Sequence, residues 1–314
     1  MGQYSEPEHV IVHISDTHYL ADRAPLYGKV DTDSTLELAI SQLERSGMRP
    51  EVIVVTGDVA DRGEPDAYRR TRALIEPVAK RIGAELLWVM GNHDDRSAFR
   101  VDLLGEQPSI RPLDHVITVN GLRIVALDSS VPGYHHGELD KSQLEWLRAV
   151  LSEDAPHGTL LALHHPPLPT PLRLMTVLEL QHQDRLADAI RGSDVRGILA
   201  GHLHYATTGL FAGIPVSVAA ATSYTMDLTA PERELSGISG GQSFNLTLVY
   251  AEQVVHSVVP ITQAETVTHF DENFLAKVES LDHAGRIEAF SRFLSAEDLS
   301  PDAPESKGQT QANP

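Results

Sequence analysis

Short apolar runs recur along the first two-thirds of the chain, each ending in small or polar residues. Residues 10–14, 52–56, 86–90, 160–163 and 195–200 are rich in Val, Ile and Leu with little polar alternation. Runs of that kind predict strands buried on both faces. Helical spacing separates them. Leu36, Ile40 and Leu43 share one face behind Ser34 and Glu37, which read as a capping box. Pro65 suits the first turn of a second helix, whose apolar face is Leu74, Ile75, Val78 and Ile82. The first ninety residues therefore predict β-α-β-α-β, with parallel strands, right-handed crossovers and helices on both faces of the sheet.

The pattern changes at Asn120-Gly121, a two-residue turn that favours positive φ between apolar stretches at 116–119 and 122–127. A tight hairpin is expected there. Asp140 with Gln143 opens a helix through Leu144, Leu147 and Leu151, and another is expected at about 184–191. Beyond His204 the sequence is β-rich, at 208–211, 215–219, 244–250 and 254–259. The last three predict a meander closing the second half, and the glycine-rich 231–241 predicts a mobile surface loop. Past Glu265, Phe274, Val278 and Leu281 suggest one amphipathic helix, and Ile287, Phe290 and Leu294 another. Residues 300–314 are polar and proline-bearing and read as disordered. The expected organisation is an α/β domain over 1–264, a helical extension over 265–299 and a tail over 300–314.

Composition narrows the function. A chain of 314 residues, 41% hydrophobic and 22% charged, is that of an ordinary globular protein with a substantial core. Its formal charge of −19 argues against a nucleic-acid polymer or an anionic membrane as partner, since both would be repelled. The absence of cysteine excludes disulfides and thiolate metal sites. The first residues lack the basic and apolar regions of a secretory signal, and no apolar run approaches the roughly 20 residues of a membrane span. A cytoplasmic protein is the expectation.

Chemistry sits at the strand ends. Asp16-Thr17-His18, Gly57-Asp58, Gly91-Asn92-His93-Asp94, His164 and Gly201-His202-Leu203-His204 each follow an apolar run. Loops at the carboxyl ends of parallel strands converge on one crevice, so residues nearly two hundred positions apart would meet. Asn is a weak neutral ligand and makes sense only within a larger set. Imidazole and carboxylate without sulfur suit Fe, Mn, Zn or Co and disfavour an all-oxygen calcium site. Seven protein ligands from these loops would be too many for one tetrahedral ion and would suit two ions sharing one carboxylate, with Asp58, central in the set, as the bridge. Two ions would activate water and clamp both oxygens of an in-line displacement at phosphorus. Their charge would draw a phosphate ester to an acidic protein.

In that order, Asp-x-His, Gly-Asp, Gly-Asn-His-Asp, His and Gly-His-x-His resemble the calcineurin-like metallophosphoesterase superfamily, over about two-thirds of the chain. The resemblance implies a four-layer αββα sandwich with a helical or disordered C-terminal extension. It implies a first metal on Asp16, His18, Asp58 and His204, and a second on Asp58, Asn92, His164 and His202, with iron or manganese favoured. His93 would act on the leaving-group oxygen as acid or electrostatic stabiliser, oriented by Asp94. Asn92, His93 and His135 would face the substrate. Within the superfamily the chain looks most like class III cyclic nucleotide phosphodiesterases of the bacterial cyclic-AMP type known from mycobacteria. The stretches that carry this are Val89-Met90-Gly91-Asn92-His93-Asp94-Asp95, Leu127-Asp128-Ser129-Ser130-Val131-Pro132-Gly133, His135-His136-Gly137-Glu138 and Ala162-Leu163-His164-His165-Pro166-Pro167. Ala200-Gly201-His202-Leu203-His204-Tyr205 completes them. Hydrolysis of 3′,5′-cyclic AMP, with cyclic GMP beside it, to the 5′-monophosphate follows from the resemblance, and related enzymes are often homodimers.

Plainer readings stand beside these. His135 is either a donor to phosphate or a solvated loop histidine. His13 and Tyr205 are read as core residues, His165 as structural, and Arg69, Arg70 and Arg72 as a solvated helix face. The nearest rival function is hydrolysis of glycerophosphodiesters, 2′,3′-cyclic nucleotides or phosphomonoesters on the same residues. A non-catalytic protein-binding scaffold is the rival from another class, and the complete ligand set argues against it.

Overall fold

Each apolar run is a strand. In the computed structural model, which describes residues 2–293, β1 (His9–Ile14), β2 (Val52–Thr56) and β3 (Glu85–Val89) run parallel. They are linked by α1 (Thr32–Ser46) and α2 (Pro65–Ile82). A short α3 (Arg96–Ala98) precedes the hairpin of β4 (His115–Val119) and β5 (Leu122–Leu127). Both turn residues have positive φ, Asn120 at 47° and Gly121 at 96°, the twist a two-residue hairpin needs. Then come α4 (Lys141–Val150), β6 (Thr159–Leu163), α5 (Gln183–Ile190), β7 (Val195–Ala200), β8 (Thr207–Phe211) and β9 (Ile214–Val218). Asp140 forms the expected capping box with Gln143 at the start of α4.

Strand faces explain the layers. Ile11, Val54 and Leu87 from one sheet meet Ile124, Ala162 and Leu199 from the other in a buried seam between the two sheets. Their neighbours face outward: Val12, Ile53 and Val55 pack on Leu36, Ile40 and Ile75 of α1 and α2. Val125, Leu161 and Ile198 pack on Leu147 and Leu186 of α4 and α5. Because both faces of every central strand are covered, no polar alternation shows in the sequence. The result is the αββα sandwich. His13 lies in the seam beside Thr56 Oγ1 at 2.8 Å, and burial beside His256 pushes its pKa down to about 3, so it is a neutral core histidine. Tyr205 is likewise buried, in the α4–α5 layer.

Four expectations are corrected. The cap of α1 is Asp31, whose carboxylate accepts from Ser34 N at 3.0 Å, so the helix opens at Thr32, ahead of Ser34. The meander does not form. β9 stays in the six-stranded sheet, order β4-β5-β6-β7-β9-β8. β12 (Ser243–Val249) and β13 (Val254–Pro260) cross to the other sheet, giving β13-β12-β1-β2-β3. There β12 pairs antiparallel with β1 and satisfies an edge that would otherwise stay open. Within 231–241, β11 (Gly237–Ile238) is ordered as a ribbon against β10 (Thr225–Met226). Finally, Arg70 leaves the solvated face. It bonds Asp66 within α2 and ties the helix to Asp33 and the Leu20 carbonyl, with its guanidinium 5.0 Å from the Tyr19 ring centroid.

These elements belong to a compact unit, Glu6–Thr262. A second unit contains Met1–Ser5 and Gln263–Pro314. In it α6 (Glu272–Glu279) and α7 (His283–Arg286) are held by a cluster in which Phe270, Phe274 and Phe290 have ring centroids 4.9 to 5.6 Å apart. Leu294 and the tail at 300–314 lie outside the described residues.

Candidate metal centre

Backbone conformation at the strand ends is unusual. Asp16, His18, Asp58, His202 and His204 all have positive φ, between 46° and 69°. For residues with a Cβ that conformation costs on the order of 1–2 kcal/mol each and persists only where the surroundings enforce it. Cross-strand hydrogen bonds do so here: Asp16 N donates to Gly57 O (3.1 Å), His18 N to Asp58 O (2.9 Å) and Gly201 N to His164 O (3.0 Å). Glycine precedes the loops for steric reasons. A Cβ on Gly91 would overlap the Asp58 carboxylate, and one on Gly201 would overlap Ser15 and Asp16.

The expected donors come together. His18 Nε2 lies 3.1 Å from His204 Nε2, 3.5 Å from Asp58 Oδ2 and 4.0 Å from Asp16 Oδ1. His204 Nε2 is 3.4 Å from Asp16 Oδ1. On the other side Asp58 Oδ2 is 3.2 Å from His164 Nε2, which is 3.1 Å from Asn92 Oδ1. The His202 ring centroid is 5.1 Å from that of His164. Asp58 thus sits between two groups of donors.

Ring orientation tests whether cations fit. His18 Nδ1 bonds Asp61 Oδ1 (3.0 Å), His204 Nδ1 bonds the Tyr224 carbonyl (3.0 Å) and His164 Nδ1 bonds the Thr56 carbonyl (2.7 Å). Each outer contact holds the proton on Nδ1 and turns the Nε2 lone pair inward. His202 is reversed, its Nε2 meeting the Leu178 carbonyl at 3.0 Å, which leaves Nδ1 as its free donor. Lone pairs and carboxylates this close repel unless protons or cations lie among them. The donor set fits metal ions. His165 is different: Nδ1 meets Ser129 Oγ (2.8 Å), Nε2 meets the His135 carbonyl (3.2 Å), and burial holds it neutral, so neither nitrogen is free.

Charge in the cluster follows the same geometry. Burial opposes ionisation of Asp58, but His164, His93 and His18 overcome it and hold the carboxyl well below its usual range. Burial also opposes protonation of His164, and Asp58 with Asp16 outweighs it, pushing the pKa up to about 9, so that without a cation a proton sits on Nε2 toward Asp58, where a bound ion would replace it.

His93 is partly exposed at the cluster edge, its N donating to Asp58 Oδ1 at 2.8 Å. Asp94 does not touch its ring, which corrects the expected orienting role. The Asp94 carboxylate instead accepts from Gly91 N (2.9 Å), Ala60 N (3.1 Å) and Tyr68 Oη (3.0 Å), bracing the loop from beneath. The residue against His93 is Asp61, whose carbonyl meets Nδ1 at 2.7 Å. Sequence reasoning missed Asp61, although a carboxylate three positions after Asp58 in the same loop was a visible signal. His135 is drawn to the site, with Nδ1 2.9 Å from Asn92 Nδ2 and its ring centroid 4.9 Å from that of His93.

A family model described as calcineurin-like phosphoesterase matches residues 9–206, the span that holds every one of these donors. The chain belongs to the calcineurin-like phosphoesterase family. This calcineurin-like phosphoesterase is 54% identical over 269 residues to a Mycobacterium tuberculosis protein named cAMP/cGMP dual specificity phosphodiesterase, covering 86% of this chain and 85% of that one. It is 52% identical over 266 residues to a Rhodococcus erythropolis protein named as a probable cyclic nucleotide phosphodiesterase, covering 85% and 88%. Among solved structures, a dimetal phosphatase from Danio rerio superimposes with a TM-score of 0.58 at 17% identity, covering 82% of this chain and 98% of that one. The last likeness speaks for the fold. No helix among the described residues is long and apolar enough to cross a membrane.

Proposed function

We propose that the chain is a dinuclear-metal phosphodiesterase that hydrolyses 3′,5′-cyclic nucleotides to 5′-monophosphates. The observation that carries this is the inward convergence of Asp16, Asp58 and Asn92 with four histidines whose outer hydrogen bonds turn their other ring nitrogens toward the cluster. The names of the relatives above half identity supply the substrate class.

Asp16, His18, Asp58 and His204 would hold one ion, and Asp58, Asn92, His164 and His202 the other. When bound, the ions supply Lewis-acid charge that activates water and neutralises phosphoryl oxygens. The protein positions the rest. Asp61 holds His18 through its carboxylate and His93 through its carbonyl. With Nδ1 engaged, His93 Nε2 is the nitrogen that hands a proton to the departing 3′ oxygen. His135 steadies the Asn92 amide and, beside His93, would face a phosphate oxygen of the bound substrate. Iron and manganese as the ions and a homodimer also belong to this reading and rest on the family resemblance; a cytoplasmic location belongs to it as an expectation from the sequence.

Purified enzyme should turn over 3′,5′-cyclic AMP faster than 2′,3′-cyclic AMP or a glycerophosphodiester, and added manganese should raise the rate. Turnover of the glycerophosphodiester alone would move the assignment to the rival diester. No turnover of any of them with manganese present would end it.

A further inference from the structure

Beside the metal centre two tyrosines pack edge to face and together form one wall of a cleft. Tyr224 packs its ring 4.4 Å from that of His204 and 6.3 Å from that of His18, and its carbonyl accepts from His204 Nδ1. Tyr27 stands edge-on to Tyr224, centroids 5.5 Å apart at 76°, with the two hydroxyls 3.4 Å apart. The pair lines a cavity of about 320 Å³, completed by Lys29, Val30, Met226 and Ile238. That volume lies in the range of small-ligand sites, roughly 300–1,000 Å³. Although the chain carries a charge of −19, no carboxylate among the described residues lines this cavity.

The cleft is built rather than incidental. Tyr27 is 68% exposed and has a φ of 53°, an unfavourable backbone for an aromatic residue, so its ring is held out in solvent at a cost. The tight loop beneath it is closed by Leu26 and Val30, which exchange backbone hydrogen bonds of 2.9 and 3.0 Å and pack with Leu20 under Tyr224. On the far wall, Gly237 of β11 lies against Tyr224, where a Cβ would come within 2.6 Å of the ring. The ribbon therefore fixes the Tyr224 plane. A second cavity that Tyr27 lines carries the carboxylates of Asp61 and Glu64.

We infer that the Tyr27–Tyr224 cleft is the nucleobase subsite, where the purine of a cyclic nucleotide stacks while its phosphate lies at the metal centre. The inference rests on the phosphodiesterase reading above and adds the determinant of specificity. Flat π-faces stack on aromatic rings, the serine hydroxyls of Ser236 and Ser239 at the rim offer partners to ring nitrogens, and the absence of carboxylates spares the substrate repulsion. Tyr224 joins the two halves of the site, since one ring both lines the cleft and packs on a metal-cluster histidine.

The test compares a diester with a base and one without. Metal-loaded parent, Tyr27→Ala and Tyr27→Phe are assayed on 3′,5′-cyclic AMP and on bis(p-nitrophenyl) phosphate. Stacking of a base on a ring is worth enough that Tyr27→Ala should raise KM for cyclic AMP about tenfold, lowering the cyclic AMP to nitrophenyl diester ratio of kcat/KM by a similar factor. Tyr27→Phe keeps the ring and should hold that ratio within about twofold. An unchanged ratio in Tyr27→Ala, or an equal loss on both substrates, overturns the subsite while leaving the phosphodiesterase reading intact. A parent that splits the nitrophenyl diester but never cyclic AMP overturns both.

Discussion

At the scale of single residues, the site separates groups that would bind ions from groups that aim them. Asn92 is a neutral amide between His164 and His135. Asn92→Ala should lower kcat at least about 100-fold, since even outer-shell partners of a metal cost 10–100-fold when removed. Bound metal should fall toward one ion per chain while the far-UV spectrum stays that of the parent. Unchanged kinetics would show that the second donor group is not catalytic. Asp61→Ala removes only an aiming carboxylate, so a loss of about 10–100-fold in activity or metal affinity is expected, read by manganese titration of the rate. His93→Ala should depress cyclic AMP hydrolysis more than that of an activated nitrophenyl diester. Equal losses would argue against its acid role. The seven candidate donors could be named from sequence because each lies at the end of an apolar run and the family resemblance picks them out there. The aiming was hidden: Asp94 adjoins His93 in the chain yet turns beneath the loop, whereas Asp61, farther off in sequence, meets both His93 and His18.

At the scale of elements, Asp114 is a tie. Its carboxylate accepts from Asp128 N after β5 (2.8 Å) and from Gln143 Nε2 of α4 (2.9 Å). Burial pushes its pKa up to about 6; those hydrogen bonds oppose the rise, and Asp128 and Asp140 add to it. A carboxyl raised on folding binds its proton more tightly in the native state. Its contribution is therefore full below the unfolded value of 3.8 and is lost as pH rises through about 6. Asp114→Asn keeps an acceptor without the charge, so it should raise Tm by roughly 2 °C at pH 8 and by nothing at pH 4. A lower Tm at pH 8 would mean that the ionised carboxylate is needed. Strands and helices were legible here because apolar spacing records burial. Sheet membership was not: β9 and β12 carry similar apolar runs, and only the open edge of β1 decides that β12 crosses over.

For the whole molecule, the two sheets bring the donors to one end, five of them left-handed, and their desolvation, with repulsion among the histidines, opposes folding until cations occupy them. Periodicity predicted the parallel halves; that they stack face to face came only from the family resemblance, because the seam of Ile11, Val54, Ile124 and Ala162 looks in sequence like any buried strand. Metal should therefore act as a fold ligand. A cation that binds the native chain and not the unfolded one stabilises by about 1.4 kcal/mol for each tenfold excess over its dissociation constant. For a chain of this size that corresponds to a Tm gain of roughly 2–4 °C per decade of free ion. Chelated protein should melt lower than the metal-loaded form, and added manganese should restore Tm along a logarithmic slope. In Asn92→Ala the slope should shrink, because one donor group is incomplete. If Tm ignores both chelator and millimolar manganese, the cluster is a hydrogen-bonded core of histidines and carboxylates, and the catalytic reading loses its physical basis.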